Sequence, residues 1–119
     1  MDEVYIRMCR EAKEIQEQWN RRFGDKFVLK NDVFNKIKFV MGFDVPTTAV
    51  WLPWQEDLQE LIIDQTHLIP ARILMLIFDE FEFIPAHYPE KSKISMATLQ
   101  VAMGMYNKRW NGDTWETIK

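Results

Sequence analysis

The chain contains few of the residues from which functional sites are commonly built. Its 119 residues include one cysteine, two histidines and four glycines. The single cysteine, Cys9, excludes an internal disulfide, and the glycines are not spaced as in a phosphate-binding loop. No stretch approaches the roughly 18 apolar residues of a membrane span, and the N-terminus lacks the pattern of a signal peptide. We therefore expect a soluble cytoplasmic protein with no membrane association.

The composition is that of an ordinary globular domain. Hydrophobic residues make up 47% of the chain and charged residues 28%, which is far from the disordered class. The formal net charge is -3, whereas proteins that bind nucleic acid usually carry a basic surface. The net charge therefore does not favour nucleic acid as a partner, and we expect a protein partner instead.

The hydrophobic periodicity predicts a single α+β domain over residues 1–119. Apolar residues recur at helical spacing over roughly residues 3–22, which predicts a first helix that includes Trp19. Alternation with period two then predicts a small antiparallel sheet of three strands, the last of which ends at Leu52. Together with three later helices, this gives about four helices packed on one sheet.

The later helices are predicted from proline and glycine signals. Pro53 and Pro70 each suit the first turn of a helix, and Gly112 suits the end of a last helix that carries Tyr106 and Trp110. The helix that begins at Pro70 is apolar on most of its circumference, so we expect it to be the main buried element or half of an interface between chains. A homodimer is therefore expected, with a monomer as the alternative.

Three sequence patterns resemble a known group of proteins. They are Trp51-Leu52-Pro53-x-Gln55-Glu56-x-Leu58-Gln59-Glu60, then Tyr106-Asn107-Lys108-x-Trp110-Asn111-Gly112-x-x-Trp115, and Ile6-Arg7-Met8-Cys9-x-x-Ala12-x-x-Ile15-Gln16. Together they are similar to small uncharacterised proteins encoded by phages and prophages of low-GC Gram-positive bacteria. Where that pattern has a basic residue after Leu-Pro, this chain has Trp54. The resemblance implies a phage or prophage origin and carries no assigned activity.

Charged residues supply two candidate binding surfaces. Lys30, Lys36 and Lys38 are predicted on the outward face of the sheet, where they could bind an anionic partner or form an ordinary solvated face. Glu56, Glu60 and Asp64 repeat every four residues along one helix face. That acidic stripe could be presented to a partner or simply be solvated, and no metal site is predicted because no second ligand set accompanies it.

Two tryptophans supply a further candidate binding site. The chain has five tryptophans, of which Trp54 and Trp115 lie close to Pro53 and Gly112 and are predicted at the ends of elements, Trp115 in a short tail. There they could stack on a nucleotide or a sugar, or they could seal the edge of the core.

The function predicted from these residues is that of a phage or prophage accessory protein that binds a host or phage macromolecule. The alternatives are a protein that binds or sequesters nucleotides and a small enzyme with a carboxylate-based site. We predict no catalytic residue and no cofactor, because no nucleophile with its base is apparent in the sequence.

Overall fold

The computed structural model describes residues 3–42, 45–84 and 90–118. The helices are α1 (Glu3–Glu11), α2 (Lys13–Glu17), α3 (Gln55–Thr66), α4 (Pro70–Glu80) and α5 (Glu90–Gly104), and a 3₁₀ turn (Phe81–Phe83) follows α4. The strands are β1 (Lys26–Leu29), β2 (Lys38–Phe39), β3 (Ala49–Leu52), β4 (Lys108–Trp110) and β5 (Trp115–Thr117). The predicted α+β fold is confirmed. Period-two alternation predicts the second strand over residues 36–43, and its last residue, Phe43, lies outside the described residues.

The three-stranded sheet has β1 in the centre, antiparallel to both β2 and β3. Val28 lies opposite Val50, and both side chains are buried on the face that the helices cover. β2 is shorter than predicted, but Val40 extends the pairing because its N–H donates to the Asp25 carbonyl over 2.9 Å and its own carbonyl accepts from Gly24 over 2.8 Å. The predicted three-stranded antiparallel sheet is thus confirmed, and the structure adds the strand order β2-β1-β3.

The first predicted helix is in fact two helices with a break at Ala12. Ala12 has φ -83° and ψ 69°, which is outside the helical region. The break turns the chain so that Gln16 reaches the free edge of β3. There the Gln16 side chain accepts the Trp51 N–H over 2.7 Å, donates to the Trp51 carbonyl over 2.9 Å, and also donates to the Cys9 carbonyl over 3.0 Å. One amide side chain thereby satisfies two backbone groups on the edge of β3 that a neighbouring strand would otherwise pair with.

The last predicted helix ends earlier than expected, and its predicted final turns form a hairpin. α5 ends at Gly104, Asn107 adopts a left-handed φ of 58°, and β4 then pairs with β5. Gly112 has φ +102°, but it lies in the hairpin loop rather than at a helix end. The loop is held by Asn111, whose side-chain oxygen accepts the N–H groups of Asp113 and Thr114 over 2.9 Å each. The prediction of a helix through Trp110 was therefore wrong.

The hydrophobic core is formed mainly by α1, α3, α5 and the inner face of the sheet. Its most enclosed side chains include Ile6, Met8, Ile15, Val28, Leu52, Leu58, Ile62, Leu99 and Met103. The prediction that the helix starting at Pro70 is the main buried element was wrong. In α4 only Ile73 and Ile77 are buried, whereas Phe78 is 64% exposed.

No single helix in the described part of the chain is both long and apolar enough to cross a membrane. α3 and α4 reach that length and composition only together, and they are bent by 115° at the break between them.

Replacing Gln16 tests the bridge between α1 and β3. Gln16→Ala should lower the free energy of unfolding by about 2–3 kcal/mol, because it leaves the N–H and carbonyl of Trp51 without this partner and removes one of the two hydrogen bonds to the Cys9 carbonyl. Urea unfolding measures this change. Gln18→Ala is the matched control: Gln18 is exposed two residues further on, so its loss should change stability by less than about 0.5 kcal/mol. Equal effects of the two variants would contradict the bridge.

Two adjacent residues test the orientation of α4. Ile77 is 3% exposed and Phe78 is 64% exposed, so Ile77→Ala should cost about 2–5 kcal/mol and Phe78→Ala less than about 1 kcal/mol. Urea unfolding at low protein concentration measures the loss of stability in each variant. A larger loss from Phe78→Ala than from Ile77→Ala would show that the helix is rotated.

Candidate functional site

The sheet separates the three lysines that the sequence placed on one outward face. Lys38 lies opposite Phe27, so its side chain shares the face of Phe27. Lys30 follows Val28 by two residues, so it shares the face of Val28, which is opposite to the face of Lys38. The Lys30 N–H extends the pairing of β1 with β3 by donating to the Thr48 carbonyl over 2.8 Å. Lys36 lies in the connection between β1 and β2. Lys30 is the member of the three that lines a groove.

This groove, which we call the basic groove, runs between the α1–α2 junction and the β3 end of the sheet. It has a volume of about 740 Å³ and is lined by Arg10, Glu11, Lys13, Gln16, Lys30, Asn31, Thr47, Thr48, Ala49, Val50 and Lys108. Arg10, Lys13, Lys30 and Lys108 carry positive charge, and Glu11 is the one acidic residue in the lining. The lining of the groove therefore carries a net positive charge in a chain whose net charge is -3.

Two of the four cations are held in place by hydrogen bonds. Arg10 donates to the Leu29 carbonyl over 3.3 Å, to the Asp32 carbonyl over 3.3 Å and to Asn35 Oδ1 over 2.6 Å. Lys108 Nζ lies 2.7 Å from Glu14 Oε1. These contacts fix the walls, whereas the side chains of Lys13 and Lys30 are exposed to solvent.

Sequence reasoning missed three of the four groove cations: Arg10, Lys13 and Lys108. Arg10 and Lys13 were predicted on one continuous helix, and only the break at Ala12 places them beside the sheet. Lys108 was predicted inside a helix, but it lies in β4, whose pairing with β5 positions it here. The one signal in the sequence was Asn111-Gly112 between tryptophans, which is typical of a hairpin.

Trp115 is engaged in packing. Its Nε1 donates to the Met8 carbonyl over 2.9 Å, and its ring meets the Trp110 ring edge to face with centroids 5.3 Å apart. The hairpin is thereby fastened to α1, and the ion pair between Arg7 and Asp113 adds a second contact. Trp115 accordingly anchors the hairpin.

Trp54 is the more exposed of the two candidate tryptophans. It precedes α3 and is 42% exposed. Lys26 Nζ lies 3.8 Å from the centroid of its ring, a cation–π contact. Burial lowers the pKa of the Lys26 ammonium. Neither Trp54 nor Trp115 is among the residues that line the basic groove.

The acidic stripe lies exposed on α3, as its spacing predicts. Glu60 and Asp64 line a pocket of about 270 Å³ together with Arg22 and Asp57, and Glu56 lies outside its lining. Within the described ranges, no three histidine, cysteine or acidic side chains are grouped so that they could hold a metal ion.

Asp57 is a structural carboxylate at the start of α3. Its two oxygens accept the Trp54 N–H and an Arg22 N–H, each over 2.9 Å. Burial raises the pKa of this carboxyl, and the hydrogen bond from Trp54 opposes that shift. The residue therefore stabilises the first turn of the helix and ties it to the loop that carries Arg22.

Comparison of the chain with protein-family models, with curated proteins and with solved structures finds no match.

Cys9 should behave as an inert core thiol. It is fully buried, and burial raises the pKa of its thiol from 9.0 to about 12. The folded protein therefore keeps the thiol protonated at a pH where the unfolded chain ionises it, so stability falls as pH rises from 9.0 towards 12. Relative to Cys9→Ala, the wild type should lose up to about 1.4 kcal/mol more per pH unit in that range. Urea unfolding at several alkaline pH values measures the two slopes, and equal slopes would contradict the burial.

Proposed function

We propose that the chain is a small phage or prophage accessory protein that acts by binding an acidic segment of a partner protein in the basic groove. The observation that carries this proposal is the concentration of four cations around one groove in an otherwise acidic chain. The phage or prophage origin is supported by the three sequence patterns described above.

The groove is preorganised for an anionic ligand. Arg10 and Lys108 are fixed by their hydrogen bonds, so ordering them costs little on binding. Lys13 and Lys30 are exposed, and their side chains are able to reach carboxylates of a bound segment. The polar side chains of Asn31, Thr47 and Thr48 add hydrogen-bonding groups along the same wall. Such a mixture of charge and hydrogen bonds suits a peptide more than a simple ion.

A protein segment fits the charge distribution better than a nucleic acid. Binding to DNA depends on the neutralisation of many phosphates along the duplex by lysine and arginine, whereas the groove has four cations. The net charge of the chain is -3, and the exposed carboxylates of Glu56, Glu60 and Asp64 contribute to it. This negative charge would repel a long polyanion. A short acidic segment needs only the groove itself.

Charge reversal inside the groove tests the proposal. The variant Lys13→Glu/Lys30→Glu should bind a short fluorescent peptide of alternating glutamate and serine at least about tenfold more weakly than the wild type, as measured by fluorescence anisotropy. Binding by the wild type should also weaken with added salt. Both lysines are exposed, so thermal unfolding should remain close to that of the wild type.

The matched control is Lys36→Glu/Lys38→Glu, which makes the same change in net charge outside the groove. It should retain binding within about twofold. Equal losses from the two double variants would show that only net charge matters and would overturn the groove as the site. Tighter binding of a single-stranded DNA oligonucleotide than of the acidic peptide would replace the protein partner by a nucleic acid.

A further inference from the structure

α4 exposes a hydrophobic surface that no other described part of the chain covers. Its buried residues, Ile73 and Ile77, face α3 and α5. On the outer side Leu74 is 45%, Met75 58% and Phe78 64% exposed. At about 100° per residue these three side chains and Ala71 fall within an arc of about 100°, which makes one continuous stripe. We call this stripe the α4 face.

The stripe is flanked by one cation and one anion at matching positions. Arg72 and Asp79 are seven residues apart, so they lie two turns apart on the same flank of the α4 face. Both side chains are exposed, and in the described part of the chain neither makes a side-chain hydrogen bond or ion pair. Opposite charges thus stand at the two ends of one hydrophobic stripe.

This arrangement is complementary to itself. If a second α4 packs antiparallel on the first, with a two-fold axis between Met75 and Leu76, Arg72 of each copy comes level with Asp79 of the other. In an antiparallel helix pair each flank meets the same flank of the second copy, so both ion pairs form together. A parallel pair would bring Arg72 level with Arg72 and offer no opposite charge. The charges therefore favour a second copy in the antiparallel orientation.

We infer that the α4 face binds the α4 face of a second copy of this chain, antiparallel and with two-fold symmetry. The helix is 11 residues long, or about 16 Å, so one helix pair buries less than the roughly 800 Å² per partner of a standard interface. The dimer therefore exchanges with monomer at concentrations on the order of micromolar. None of the groove residues lies on α4, so this inference goes beyond the proposed function and does not depend on it.

Sedimentation equilibrium over a range of concentrations tests the dimer. The wild type should show a concentration-dependent monomer–dimer equilibrium, and Phe78→Glu should weaken it by at least about tenfold. Phe34→Glu is the matched control, because Phe34 is 89% exposed but lies in the connection between β1 and β2. It should dimerise like the wild type. Both phenylalanines are largely exposed, so circular dichroism should show that both variants are folded.

Charge exchange tests the orientation. Arg72→Glu and Asp79→Arg should each weaken the homodimer, because each places two like-charged pairs across the interface. Mixing the two single variants should produce a heterodimer, since the introduced glutamate of one copy then faces the introduced arginine of the other, while the unchanged Asp79 faces the unchanged Arg72. The double variant Arg72→Glu/Asp79→Arg should also dimerise like the wild type.

Three results would overturn the inference: a wild type that stays monomeric at high micromolar concentration, a dimer unaffected by Phe78→Glu, or single charge variants that do not associate on mixing. Flotation with vesicles of phosphatidylcholine and phosphatidylglycerol tests the alternative that the α4 face binds a lipid membrane. If a monomeric wild type floats with these vesicles and Phe78→Glu does not, the α4 face binds lipid instead. Phe78→Glu should leave binding of the acidic peptide unchanged, which keeps this result separate from the groove.

Discussion

The Gln16 side chain makes the connection on which the arrangement of the N-terminal half depends. Its amide pairs with both backbone groups of Trp51 and also with the Cys9 carbonyl. Because α1 stops before Ala12, the Cys9 carbonyl accepts the Ala12 N–H over 3.2 Å, and the Gln16 side chain supplies a second donor to the same oxygen. The same side chain protects the edge of β3 from pairing with another chain. A uniform helix through this region would satisfy Cys9 but would leave the backbone of Trp51 without this partner.

Tryptophan rings make the second set of constraints. Trp19 follows α2 and stacks on Trp51 with centroids 6.0 Å apart and rings inclined by 3°. Its Nε1 donates to Asp25 over 2.9 Å. Near the other end of the sequence, Trp115 is hydrogen-bonded to the Met8 carbonyl. These indole groups join segments that are distant in sequence, which is why a chain without a disulfide holds its short strands and its hairpin in place.

The sequence predicts the elements whose signals are local. The three-stranded antiparallel sheet follows from period-two alternation, and α4 begins at Pro70 as its fixed φ suggests. α3 begins two residues after Pro53, because Asp57 caps the helix at Trp54 instead. The hairpin was missed because Tyr106 and Trp110 are also spaced as on a helix. That ambiguity was resolved by Asn107, whose φ of 58° ends the helical path.

The features that the sequence could not predict depend on tertiary packing. Hydrophobic residues occupy most of the circumference of α4, so periodicity alone cannot predict which side of the helix is buried. In the structure Ile73 and Ile77 are buried, whereas Leu74, Met75 and Phe78 are exposed. The basic groove is still less visible, because its cations come from α1, α2, the end of β1 and β4. Only the candidate lysine Lys30 belongs to it, and its companions Lys36 and Lys38 do not.

The two proposed surfaces are independent in the structure. The basic groove uses α1, α2, the sheet edge and β4, whereas the α4 face is held by contacts with α3 and α5. Dimerisation through α4 would therefore use no groove residue and would give the assembly two grooves. Two weak sites on one assembly bind a partner with two acidic segments more tightly than either site alone, through effective concentration. For this chain, then, the exchange between monomer and dimer would control avidity for a partner without changing the groove itself.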